Sequence, residues 1–106
     1  MTDRLRDCAA VAFLYRLLPP RPTFAQDMSP AEADVMQRHV AYWQDLLNRD
    51  VALAFGPVLH PKEPWGLGLL ALDDERAAHA IGEGDPAVES GTCTYEVVPM
   101  QLVRPG

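Results

Sequence analysis

The chain has 106 residues, 48% of them hydrophobic, and a formal net charge of −6 with a single lysine, Lys62. That is apolar enough for one packed domain, taken as residues 1–106 with a core over about 9–103, and too apolar for disorder. It excludes a phosphate-backbone partner, which needs clustered Lys and Arg, and no apolar run reaches the roughly 18 residues of a membrane span.

Taken in chain order, Met1–Asp7 carries charges of mixed sign. The apolar stretch that follows is interrupted by Arg16 and has no small-residue cleavage site, so it reads as a strand and not a signal peptide, and the expected location is the cytoplasm. Ala9–Leu18 is the first strand, ended by Pro19-Pro20 because proline cannot donate to a ladder. Arg21–Met28 reads as a loop. Ser29, Pro30 and Glu32 form an N-cap, a first-turn proline and a capping box. The first helix then runs to about Arg49, with Met36, Val40, Trp43 and Leu47 as its apolar stripe. Val51–Val58 is a second strand broken by Gly56-Pro57, a backbone corner. His60–Pro64 is a turn and Trp65–Leu72 a third strand, in which Gly66 and Gly68 mark close backbone approach. Asp73 or Asp74 caps a second helix to about Ile81, ended by Gly82 and Gly84. Thr92–Val103 is the fourth strand and Arg104–Gly106 a tail.

This βαββαβ order is that of the ferredoxin-like α+β plait, a four-stranded antiparallel sheet with both helices on one face. The other face should alternate to polar residues, and it does not. In the first strand Ala10, Ala12, Leu14 and Leu18 oppose Val11, Phe13, Tyr15 and Leu17, with only Arg16 breaking the pattern. Leu67, Leu69 and Ala71 oppose Leu70 and Leu72. Tyr95 and Val97 oppose Val98, Met100 and Leu102. A second copy packed sheet to sheet covers such a face, so a homodimer is expected, against a monomer with a partly apolar sheet.

Few residues carry chemistry. His39 lies on the flank of the helix stripe, as either a satisfied core histidine or a half-buried acid or base. Asp85, in Gly84-Asp85-Pro86, is a turn-former on its own. Cys8 and Cys93 are too few for a zinc site or a disulfide framework, and they fall at opposite ends of neighbouring strands. His60 sits in a turn and His79 on an exposed helix. No spacing suggests a metal site, and no Gly-rich phosphate loop or nucleophile elbow is present.

Arg38–Trp43 followed by Phe55-Gly56-Pro57-Val58, then Asp85–Gly91 and the closing Tyr95-Glu96-Val97 and Pro99-Met100, resemble the YCII-related (YciI-like) family over roughly residues 9–103. The resemblance implies a dimeric α+β barrel and a dyad of His39 and Asp85. It departs at Asp50, where the family usually has Gly, and in the long Pro19–Pro22 loop, which is expected to shape the pocket mouth. It also implies a small cofactor-free enzyme acting on a small cyclic or aromatic compound by elimination or lyase-type, dehydrohalogenase-like chemistry. His39 would be the acid or base, and Asp85 would fix its tautomer. Tyr15, Tyr42 and Trp43 would line the pocket with Gly56, Pro57 and Pro86. Arg16 would hold an anionic substrate, or else reach solvent as a strand-edge charge. The competing expectations are a non-catalytic ligand-binding or dimerising module and a cofactor-independent oxygenase of the related barrels.

Overall fold

The computed structural model describes residues 9–103, so the expectations for Met1–Cys8 and Arg104–Gly106, including the position of Cys8, lie outside the described residues. Four strands, β1 (Ala9–Leu18), β2 (Ala52–Val58), β3 (Trp65–Leu70) and β4 (Thr94–Val103), form one antiparallel sheet in the order β2-β3-β1-β4. Among them run α1 (Phe24–Asp27), α2 (Pro30–Asn48), α3 (Glu75–Gly84) and α4 (Pro86–Glu89). The architecture is the expected α+β plait of ferredoxin-like type. Within one chain the sheet is open, with β2 and β4 as its edges, and is not a closed barrel.

Side-chain alternation on the central strand divides the molecule into two faces. Phe13, Tyr15 and Leu17 point into the helix layer and are buried with Trp43, Leu46 and Leu70. Leu14 and Leu18 point the other way and stay partly exposed with Leu67, Leu69 and Met100. The start of β4 pairs with the end of β1, Thr94 opposite Leu18, and Cys93 just before it is a buried free thiol.

Helix α2 is fixed at its start as the sequence specifies. Ser29 Oγ accepts from the Glu32 amide at 3.1 Å, and Glu32 returns the bond to the Ser29 amide at 2.9 Å. Its buried face is rotated from the expected stripe, to Val35, Trp43 and Leu46, and Val40 is 50% exposed. The reason lies in what packs against the helix. Met36 and Val40 border an open cavity, and of the two only Met36 also packs against the core.

Three further expectations are corrected. The Arg21–Met28 loop contains the helical turn α1, tied to α2 by Arg21, whose guanidinium donates to Asp27 at 2.7 Å and to Glu32 at 2.8 and 3.0 Å. Glu32 is held down to about 2 by the Arg21 hydrogen bonds and then the Ser29 amide. Helix α3 continues through Gly82 to Gly84. Gly82 is not a stop; a Cβ there would lie 2.5 Å from the Tyr95 ring, so the glycine lets helix and strand close together. The segment after Asp85 is one helical turn, α4, and β4 starts at Thr94, not Thr92.

Candidate active site

Asp85 is built into place by its neighbours in sequence. Pro86 disfavours the helical region for the residue before it, and Asp85 is extended at φ −65°, ψ 124°. The extended residue ends α3 and caps α4, its Oδ1 accepting from the Ala87 amide at 2.9 Å. Its carboxylate is thereby turned inward and is fully buried.

Three side chains from two elements converge on it. Tyr15, inward-facing on β1, donates its hydroxyl to Oδ2 at 3.0 Å. Trp43 of α2 donates Nε1–H to Oδ2 at 2.9 Å. His39, one helical turn before Trp43, places Nδ1 2.9 Å from both oxygens. The indole reaches that position because β3 has no side chain beneath it: a Cβ on Gly68 would lie 2.4 Å from the Trp43 ring. Tyr15 and Trp43 also pack ring to ring, 4.8 Å between centroids.

The electrostatics follow from these bonds. Burial pushes the Asp85 carboxyl up, but the hydrogen bonds from His39, Trp43 and the Ala87 amide outweigh it and hold the group below its ordinary value. The Tyr15 hydroxyl is raised by burial and by the Asp85 charge, so it stays protonated and donates. An ionised carboxylate can only accept. The neutral His39 imidazole must therefore carry its proton on Nδ1, and Nε2 keeps the lone pair.

His39 and Tyr15 stand at the wall of a cavity of about 320 Å3 between α2, the α1 segment and the β2–β3 end of the sheet. Trp43, Gly56 and Pro57 line it. Three other expected residues do not. Arg16 is on the opposite sheet face from Tyr15 because neighbours on a strand alternate; it pairs with Glu96 at 3.0 Å and lies 4.7 Å over the Trp65 ring. Tyr42 turns away and donates to the Ile81 carbonyl at 2.9 Å. Pro86 acts on Asp85 through the backbone and is not on the wall.

The sequence reading missed Phe24, Met28, Met36, Phe55 and Trp65 on the wall, and the hydrogen bonds of Tyr15 and Trp43 to Asp85. One signal was present. A tyrosine on the core face of a strand and a tryptophan on the core face of a helix must each satisfy a polar atom, and few acceptors were on offer. Cys93 also touches the cavity, with its thiol pushed up to about 11 by burial and then by the Asp85 and Glu32 charges. Among the described residues no group of three or more His, Cys, Asp and Glu is arranged to hold a metal ion, and no helix is long and apolar enough to cross a membrane.

The family model of the YCII-related domain matches residues 13–101. Among solved structures, the 5-chloro-2-hydroxyhydroquinone dehydrochlorinase (TftG) from Burkholderia phenoliruptrix AC1100, in complex with 2,5-dihydroxybenzoquinone, is similar at a TM-score of 0.62. The match covers 91% of this chain and 96% of that one, at 16% identity, and is a likeness of fold. No curated protein matches.

Proposed function

The chain belongs to the YCII-related domain family, and from that premise we propose that it is a small cofactor-independent enzyme of elimination or lyase type. Its substrate is a small cyclic or aromatic compound, and His39 and Asp85 carry the acid/base chemistry. The observation that supports this most is the pairing itself. A buried carboxylate holds the imidazole Nδ1–H at 2.9 Å, on the wall of a cavity large enough for a ring. Nε2 takes a proton from the substrate as a bond to the leaving group breaks. Asp85 stabilises the imidazolium so formed, and Nε2 then returns the proton to the departing group or to water. The dehydrochlorinase activity of the similar structure belongs to the same reaction class, loss of a proton and a leaving group.

The test is chloride release from a panel of chlorinated hydroxybenzenes, beginning with 5-chloro-2-hydroxyhydroquinone, by wild type and by His39→Ala. The expected result is turnover by wild type and a loss of at least about 100-fold in the variant, the ordinary contribution of a general base. Equal rates in the two proteins, or no release from any member of the panel, removes the reading.

A second reading has one observation in its favour. Asp85 is fully buried, caps α4 and ties β1 to α2, as a purely structural carboxylate would. Under it the chain is a non-catalytic ligand-binding module. His39→Ala then lowers stability and abolishes no reaction.

We also propose that the protein works as a homodimer, a second copy covering the helix-free sheet face.

A further inference from the structure

The cavity that holds His39 carries a second piece of information, in the charges of its wall. Its lining is aromatic and aliphatic, with Phe24, Met36, Phe55, Pro57 and Trp65 prominent. Neither lysine nor arginine is among the lining residues. The ionisable groups that do line it are His39, Tyr15 and Cys93, and the last two are both held protonated. Two guanidinium groups lie against lining rings, Arg16 over Trp65 at 4.7 Å and Arg21 over Phe24 at 5.3 Å. Both are already committed to carboxylates, Arg16 to Glu96 and Arg21 to Asp27 and Glu32. Immediately behind His39 and Tyr15 stands the Asp85 carboxylate, buried.

We propose that this site selects its substrate by charge: it takes an uncharged, ring-sized apolar molecule that presents an acidic O–H or C–H to His39 Nε2, and it rejects the same ring bearing a carboxylate. The inference deepens the acid/base reading above and rests on it for the role of Nε2. The physical argument is one of desolvation. An anion leaving water for an apolar cavity must recover its lost hydration from a cation or several donors. Among the described residues this wall offers no fixed cation, and the charge nearest behind it is negative, which in a medium of low dielectric acts over several ångströms. A neutral ring loses little hydration and gains the apolar contact of Trp43, Phe24 and Phe55. Negative charge then arises only after binding, when the proton has moved to Nε2 and the imidazolium stands beside it. At about 320 Å3 the cavity is near the lower end of the range of ligand pockets, which suits one or two rings.

The chain supplies its own probe. It contains two tryptophans, Trp43 and Trp65, and both line this cavity. Intrinsic fluorescence therefore reports on its occupancy without any need for turnover. Wild-type protein at pH 7.5 is titrated with methyl 4-hydroxybenzoate, which is neutral, and with 4-hydroxybenzoate, which has the same ring and an ionised carboxylate. The expected result is saturable quenching by the ester with a dissociation constant at least tenfold lower than that of the acid. Equal or tighter binding of the carboxylate overturns the proposal, as does an absence of saturable quenching by the ester up to its solubility. This failure is separable from failure of the acid/base reading. Loss of charge selectivity with turnover still dependent on His39 sinks only the present inference. Charge selectivity with turnover indifferent to His39→Ala sinks only the other.

Discussion

At the scale of single residues, Asp85 is where structure and chemistry meet. Four donors end on one buried carboxylate, and each comes from a different piece of local grammar: a strand alternation, two helix positions one turn apart, and an N-cap. Its folded-state carboxyl lies below the ordinary 3.8, so the proton binds more weakly to the folded than to the unfolded chain. By linkage its contribution to stability is fully present above pH 3.8 and is lost as pH falls below it through the folded value. Replacement by asparagine keeps the shape and removes the charge. At pH 7, Asp85→Asn should cost about 2–4 kcal/mol in urea unfolding, since charge-assisted bonds to buried donors are replaced by weaker ones. At pH 3 the difference between the two proteins should shrink, because the wild-type carboxylate is then giving up its advantage. Urea midpoints that coincide at pH 7 would show that the four bonds stabilise nothing.

At the scale of elements, sequence gave away most where punctuation is chemical and least where neighbours decide. The Ser29–Glu32 capping box and the Pro19-Pro20 stop are local, and both appear where expected. The face that α2 buries is not local. Met36 and Val40 belong to an apolar stripe, yet they border a cavity whose other walls come from α1 and the sheet, and no period within the helix encodes that. His39 and Asp85 are 46 residues apart, and only the family resemblance pairs them; composition and spacing alone read both as ordinary residues. Asp50 shows the reverse case. It follows α2 in the left-handed region, φ 59°. Its amide donates to the Leu47 carbonyl at 3.1 Å and the Val51 amide to Leu46 at 2.9 Å, the paired bonds of a Schellman ending. Glycine adopts that conformation without a Cβ clash, whereas aspartate tolerates it. Asp50→Gly should therefore raise stability, by up to about 1 kcal/mol, visible as a higher midpoint in thermal or urea unfolding with the cavity unchanged. A lower midpoint would mean that the Asp50 side chain contributes more than the backbone strain it carries.

At the scale of the whole molecule, the unanswered face of the sheet is the feature that a single chain leaves incomplete. Leu14, Leu67, Leu69 and Met100 are only partly covered there, and Val98 is 44% exposed beside Leu14 in the β1–β4 ladder. One charged pair, Arg16 with Glu96, stands in this surface. Monomers seldom leave a contiguous apolar patch of this kind uncovered. Packing of two such faces about a two-fold axis would bury each against its own copy, in the manner expected of an isologous interface, and would join two open sheets where one chain makes none that closes. Val98→Lys tests this at a point where the two outcomes diverge. Val98 is exposed in the isolated chain, so in a monomer a lysine there meets water and costs little, within about 0.5 kcal/mol for a surface site. In the proposed dimer the same lysine meets its symmetry-related neighbour and an apolar surface, and like charges desolvated together are strongly unfavourable. Sedimentation at micromolar concentration should then show twice the chain mass for wild type and the mass of one chain for Val98→Lys, with the far-ultraviolet circular dichroism of the two unchanged. A wild type that sediments as one chain, or a variant that still sediments as two, would remove this face as the interface and leave its apolar residues in need of another partner.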